Sequence, residues 1–547
     1  MTDHIPPSTR AEAKANAAAD VVAEAPASTA VPHGPITGAY AHGHKPKSPW
    51  PALWALVIGF FMILVDTTIV SVANPAIKAA LDPSSNNLDN VVWVTSAYLL
   101  AYAVPLLITG RLGDRFGPKN IYLIGLAVFT LASLGCGLST SLGMLVAFRA
   151  VQGLGASMMT PQTMAVITRT FPAQSRGAAM GLWGATSGVA MLVGPLAGGL
   201  LVDGLGWEWI FFVNLPVGVI GFVLAAILVP KLQTHEHKFD MVGVFLSAAS
   251  LFLIVFSLQE GQSWNWDARI WTMLIAGILL LGIFIWQQAK TKSEALVPLE
   301  LFRDRNFSVS NGGIAIVGFV VTSMSLPYMF YLQLARGLTP TEAALLMVPM
   351  ALAAGVLSPI AGRILDHVDP RVLLVPGLSL MVIAITWNAY LMRDPSTEVW
   401  LFLLPSLMIG IASAGMWGPL ATTATRNLPP RQAGAGAGIY NTTRTVGSVL
   451  GSAAIAAFMQ GRLDAQFPNA AAHSGGFGTG KLPSFIVDGF ATAMAQTILL
   501  PAAVMALGVI VVLFMKRPSH LLKPGEKHEW VSASTAAETG AQADALD

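Results

Sequence analysis

Asp66 is an acid in a place where acids are costly. Of the 29 Asp and Glu residues in the chain, it alone falls well inside an apolar run, 51–74, while Glu208, Glu260, Glu342 and Asp488 fall at run edges. An ionisable group inside a membrane-length apolar run faces a cavity or a partner. Arg149, inside the run 142–167, is the natural partner. At 1.5 Å per helical residue the two lie at matching depths, roughly 10 Å below the same face. Burial disfavours a carboxylate's charge and a nearby guanidinium favours it, so an acid that loses its cationic partner gains affinity for a proton. Reversible proton binding is the chemistry that this pair can do. A permanent structural ion pair is the competing reading, and an Arg149 that only packs and reaches outward is another.

A second charged constellation occurs twice. Gly110-Arg111-Leu112-Gly113-Asp114-Arg115-Phe116-Gly117-Pro118-Lys119 lies between two apolar runs, and Gly362-Arg363-Ile364-Leu365-Asp366-His367-Val368-Asp369-Pro370-Arg371 repeats its pattern 252 positions on. Glycine-rich charged stretches of this kind read as short loops at a membrane face. The expected role of Asp114 and Arg115 is conformational, an ion pair and contacts to helix ends, with Asp366 and Arg363 doing the same in the second copy. A solvated loop whose basic residues only set topology is the plain alternative.

These residues are positioned by an all-α polytopic membrane protein. The chain has 547 residues, 54% of them hydrophobic and 11% charged, about half the charge of a soluble domain. Fourteen apolar runs of roughly 19–26 residues fit helices crossing about 30 Å of hydrocarbon. With both termini cytoplasmic, 23 Lys and Arg fall in cytoplasmic segments, six in external loops, and two, Arg149 and Arg444, inside runs. That bias sets the orientation. The single cysteine, Cys136, excludes a disulfide framework and a Cys-based metal site, and no cofactor is expected. Gly194-Pro195 and Gly451-Ser452 are 257 apart, as are Phe171-Pro172 and Leu428-Pro429. Runs 1–6 therefore map onto runs 9–14, and runs 7 and 8 are an inserted central pair. The expected divisions are a disordered tail (1–50), a six-helix half (51–230), a central two-helix insertion and linker (231–305), a second six-helix half (306–515) and a C-terminal tail (516–547). The external loop 459–489 is expected to be poorly ordered. Two parallel six-helix repeats are the plan of a secondary transporter with its site between the halves.

Four motifs sharpen this. Gly110–Lys119 resembles the signature loop of the major facilitator superfamily. Arg149-Ala-Val-Gln152-Gly153-Leu-Gly155 resembles the fourth-span motif of its proton-driven exporters, and Gly194-Pro195-Leu196-Ala197-Gly198-Gly199 resembles its fifth-span antiporter motif. With Asp66-Thr67-Thr68 in the first run and fourteen runs in all, the chain resembles the QacA/EmrB type of drug/proton antiporter. Pro118 and Ala190 depart from the stricter patterns, as do Ser71 and Asn74. The resemblance implies the major facilitator fold in a bacterial inner or plasma membrane, small-molecule substrates, protons and lipid as partners, no nucleic acid, and a monomer as the working unit.

Gly184, Gly188, Gly194, Gly198 and Gly199 crowd the fifth run, for close packing or for a bend and seal. Candidate cavity residues are Asp66, Gln152, Trp183, Phe330, Trp417, Asn441 and Arg444, with Trp93, Tyr98 and Phe212 as further aromatic walls. The leading expectation is export of amphiphilic small molecules, leaning to lipophilic monocations and neutral amphiphiles because Asp66 is the single central carboxylate. A dedicated exporter of a lipid, siderophore or other metabolite, and an uptake symporter, are the alternatives. The chain has no phosphate-binding GxxxxGK[ST] loop and no HExxH motif, which argues against an ATP-driven pump and a membrane enzyme.

Overall fold

The computed structural model describes residues 48–517 apart from 82–88, 173–174, 235–239, 262–263, 292–294, 468–481 and 483. Most of both expected tails therefore lies outside the described residues. Every described element is helical, as it must be where lipid offers backbone groups no partner. Among the described residues, thirteen helices are long and apolar enough to cross a membrane, and a bent pair makes a fourteenth.

The first half comprises α1 (Trp50–Leu81), α2 (Asp89–Ala103), α3 (Leu106–Phe116), α4 (Pro118–Gly137), α5 (Leu142–Thr170), α6 (Arg176–Leu205), α7 (Trp209–Phe212) and α8 (Asn214–Leu228). Helices α2 and α3 form one span bent by 46°. The cause is Pro105, which has no N–H and whose ring crowds the carbonyl four residues earlier. The inserted pair is α9 (Met241–Glu260) and α10 (Ala268–Lys290). The second half comprises α11 (Arg305–Phe330), α12 (Pro340–Leu345), α13 (Val348–Leu365), α14 (Arg371–Leu391), α15 (Leu403–Thr425), α16 (Ala433–Gln466), α17 (Ser484–Thr497) and α18 (Leu499–Leu513).

Two expectations from sequence are corrected. Gly110–Phe116 is not a loop but the last turns of α3, and the chain reverses at one residue, Gly117, at φ +89°. Glycine tolerates that angle, and Pro118 then opens α4 at its first position, where a missing N–H costs nothing. The copy behaves alike: Gly362–Leu365 ends α13 and Arg371 opens α14. The region 459–489 is also more helical than expected, since α16 runs on to Gln466 and α17 starts at Ser484.

The core of the first half is two apolar clusters. One contains Leu56, Ile63, Tyr98, Phe129, Met159 and Ala225, the other Val65, Val94, Cys136, Leu145, Ile210 and Phe211. Between them, on four helices, lie Asp66, Ser133, Arg149, Gln152 and Asn214, all buried. The inserted α9 is wedged at the seam between halves, where Val255 packs with Ala103 of α2 and Val449 of α16. Arg111 straps the linker after α10: its Nε donates to the Leu296 carbonyl at 3.2 Å and its Nη2 to that of Ala295.

Candidate functional site

Asp66 and Arg149 are both fully buried. Arg149 Nη1 donates to Asp66 Oδ2 at 2.5 Å and to Gln152 Oε1 at 2.5 Å, and Nε donates to the Val94 carbonyl at 3.0 Å. The second carboxylate oxygen, Oδ1, accepts from Gln152 Nε2 at 2.9 Å and Asn214 Nδ2 at 3.1 Å. Gln152 also donates to Ser133 Oγ at 2.7 Å. The fourth-run arginine and glutamine thus act together: one helical turn apart on α5, they present one face to the acid on α1. Tyr98 of α2 closes the site, its ring 4.1 Å from the guanidinium carbon, a cation–π arrangement strengthened by exclusion of water. Asn214 and Ser133 were not singled out from sequence. The available signal was Asn214 as a lone amide in the apolar stretch 208–230, two residues before Pro216.

A cavity of about 410 Å³ lies between the halves. Thr67 and Thr68 line it, but Asp66 does not. At 100° per helical residue, Asp66 turns into the first half while its two successors border the cavity. Tyr98 lines the cavity as well as covering Arg149, so one ring forms the wall between the two places. Of the other cavity candidates, Trp417 and Arg444 line it. Gln152 belongs to the acid's network. Trp183 is fully buried, stacked on Phe60 at 4.7 Å. Phe330 is 38% exposed at the end of α11. Asn441 is buried, donating to the Ala437 carbonyl of its own helix. None of these four is among the lining residues. The inserted pair contributes Gln259 from α9, which no motif indicated.

The repeated charged stretches meet helix starts of the opposite half. Asp114 accepts from the amides of Gly434 at 2.9 Å and Ala435 at 3.0 Å, at the start of α16. Asp366 accepts from those of Gly177 at 2.8 Å and Ala178 at 3.4 Å, at the start of α6. First-turn amides lack helical partners and carry the positive end of the helix dipole, so a carboxylate suits them. Asp114 therefore uses these amides, and the expected ion pair with Arg115 does not form; Arg115 is exposed, beside the Phe116 ring. Asp366 pairs with Arg426 at 3.8 Å rather than with Arg363. Burial pushes its carboxyl above the ordinary value, against the pull of the two amides and Arg426. Gly110 and Gly362 permit the approach, because a Cβ would stand 2.4 Å from the Gly434 carbonyl oxygen and 2.2 Å from that of Gly177. Arg176, not singled out from sequence, ties the same face: its guanidinium donates to the Thr425 carbonyl at 3.1 Å and the Thr168 carbonyl at 2.6 Å, one in each half.

Residues 56–452 match the family model of the Major Facilitator Superfamily. The chain belongs to that superfamily. Among its relatives, an uncharacterized MFS-type transporter of Mycobacterium tuberculosis is 54% identical, covering 86% of this chain and 81% of its own length. The tetracenomycin C resistance and export protein of Streptomyces glaucescens is 32% identical over 78% of this chain and 80% of its own. The multidrug export protein EmrB of Escherichia coli is 30% identical over 73% and 78%. This places the MFS transporter with the EmrB/QacA type of drug exporters. Its fold is similar to that of the proton:xylose symporter XylE, with a TM-score of 0.57 at 14% identity, covering 85% of this chain and 95% of that one.

The fifth-span glycines of this MFS chain divide by environment. A Cβ on Gly194 would stand 1.8 Å from Thr68 Oγ1, and one on Gly188 would stand 2.9 Å from the Ala354 Cβ. The first packs α6 against α1 and the second packs it across the seam against α13. Gly198 is buried and Pro195 half-buried, while Gly199 has open space around its Cα. Close packing thus explains the first two and not Gly199.

Proposed function

We propose that this transporter exports amphiphilic small molecules in exchange for protons, with Asp66 as the proton carrier. The observation that carries this reading is the position of Asp66, walled off from the cavity by Tyr98 and held by Arg149 at 2.5 Å. An exchanger must couple two ligands without letting them leave together, which a shared wall between proton site and substrate cavity provides. When Asp66 takes a proton, Arg149 still has the Val94 carbonyl, the Gln152 amide oxygen and the Tyr98 ring. The guanidinium is thus never stranded in a low-dielectric interior, where an unpartnered charge is prohibitive. Substrate pressing on Tyr98 shifts the cover of the ion pair, and loss of the ion pair on protonation loosens Tyr98.

Access alternates by making and breaking the reciprocal caps. With Asp114 and Asp366 both seated, the face bearing them is shut; in the orientation that the excess of Lys and Arg supports, that face is cytoplasmic. On that reading the described state is the outward-releasing one. The names of the export proteins among the relatives agree with the direction. The test is dye transport into inverted vesicles with and without a proton gradient. Accumulation that collapses with an uncoupler is expected; accumulation that survives the uncoupler and follows ATP overturns the reading.

A further inference from the structure

The charge inside the cavity has the opposite sign from that expected of a site for cations. No acidic residue is among the described residues lining it, and its one ionisable charge is Arg444 of α16. Arg444 is half-buried. Its single described hydrogen bond runs from Nη2 to the Tyr102 hydroxyl at 3.2 Å. That hydroxyl donates onward to Thr160 Oγ1 at 3.3 Å. None of the described ion pairs includes Arg444. A guanidinium carries five N–H donors in a planar fork, so most of this fork is committed to no acceptor among the described residues. Thr445, Ser448 and Gln259 add neutral polar groups to the lining. Much of the rest is apolar, with Met324, Met350, Met381 and Ile409. Asp66 is not among the lining residues; it is behind Tyr98 with its two oxygens already occupied.

We propose that Arg444, positioned by Tyr102, forms a subsite for an anionic oxygen in the cavity that Gln259 of the inserted helix also lines. Transported molecules then have an apolar body and a carboxylate, phenolate or enolate group, and permanently cationic amphiphiles are disfavoured. The inference rests on the export reading only in taking this cavity as the substrate site. An anionic oxygen accepts the open fork in charge-assisted hydrogen bonds where water is largely excluded. An ammonium at the same point meets a like charge with no acid to offset it. The methionine-rich wall is adaptable and tolerates varied apolar bodies. Gln259 also gives the inserted pair a share in the cavity: α9 packs at the seam and contributes an amide, both donor and acceptor, to the lining.

Equilibrium binding decides it, on the purified full chain in lipid nanodiscs with no gradient. The probes share one fluorescent body: dansyl glycine (carboxylate), dansyl amide (neutral) and dansyl ethylenediamine (ammonium). The carboxylate is expected to bind at least about tenfold more tightly than the ammonium. Arg444→Gln should remove that preference while holding dansyl amide within about twofold, and Arg444→Lys should retain part of it. Should Arg444→Gln fail to fold, the ranking of the three probes on the unaltered chain still decides. Equal or tighter binding of the ammonium overturns the proposal, as does an Arg444→Gln variant that keeps the carboxylate preference. Asp66→Asn should keep the preference while losing gradient-driven transport. A preserved preference with uncoupler-resistant accumulation would therefore overturn proton coupling and leave the subsite standing.

Discussion

The ring of Tyr98 lies 4.1 Å from the Arg149 guanidinium on one side and forms the wall of the inter-half cavity on the other. Its hydroxyl is buried with no hydrogen-bond partner among the described residues, so the ring is held by stacking and not by a polar tether. That freedom suits a part which must shift with either ligand. Tyr98→Leu should fill space but lose the cation–π contact, worth about 2 kcal/mol at a desolvated site. Substrate binding should weaken modestly. The number of substrate molecules moved per proton should fall further, as protons leak without exchange. Vesicle measurements of proton flux with and without substrate check this, and an unchanged ratio removes Tyr98 from the coupling.

Asp66→Asn keeps size and most hydrogen bonding but cannot release a proton. It should abolish gradient-driven export while neutral substrates still bind. Asp66→Glu should retain part of the activity with a shifted pH profile. Continued uphill accumulation by Asp66→Asn, with uncoupler sensitivity intact, would place the carrier elsewhere, with the edge acids Glu208 and Glu260 next to test.

Asn214→Ala removes one of the two amides on Asp66 Oδ1. A hydrogen bond to a charged group contributes about 1.5–3 kcal/mol. The carboxylate loses support and the protonated form does not, so the pH dependence of transport should move toward alkaline values. Asn214→Gln or an unchanged pH profile in Asn214→Ala separates the roles: rescue by Gln supports an amide contact, and no shift in Ala argues that Asn214 only packs.

Asp114→Asn and Asp366→Asn each replace a charged cap by a neutral one. Each should shift the shut face toward open about tenfold and slow transport while leaving substrate affinity near normal. The two caps sit on separate elements, so the double variant should add the two effects. Affinity that falls as far as the transport rate would exclude the gating role.

Gly110→Ala places a methyl 2.4 Å from the Gly434 carbonyl oxygen, and backbone on both sides leaves little room to yield. The shut state should be lost more completely than in Asp114→Asn. In a Cys136→Ser background, a reporter at Thr168→Cys, buried when the face is shut, should react severalfold faster with an impermeant maleimide. Unchanged labelling would show that the helices separate without opening this face.

Much of this architecture is legible in composition. Apolar runs long enough to span, a repeat at offsets of 252 and 257, and a lone central acid with one arginine at equal depth all survive the loss of three-dimensional information, because the membrane constrains length and charge so strongly. Rotation about the helix axis is not legible. The run around Asp66 is apolar on every side, so nothing in it says that Asp66 faces inward and Thr67 and Thr68 face the cavity. The same blindness explains why Trp183 and Phe330 fall away from the cavity while Trp417 borders it. Gly110–Phe116 reads as a loop because its charges and glycines suit one; tertiary contact with α16, not local propensity, keeps it helical. Asn214 and Gln259 were hidden because a single amide in an apolar run reads the same whether it faces a ligand, a partner or nothing.

The reciprocal caps have a consequence for ancestry. Each half holds both components of the fastening: a carboxylate at the end of one helix and a pair of open amides at the start of another, in corresponding positions. Two copies of a single such half, facing each other across a twofold axis, would make both contacts at once, residue i meeting j and j meeting i, which defines an isologous dimer. The interface that now opens and shuts within one chain is thus self-complementary in design, and a six-helix homodimer is a sufficient precursor for it. The inserted α9 and α10 have no counterpart in that symmetry, so Gln259 makes the cavity asymmetric while the gate stays symmetric.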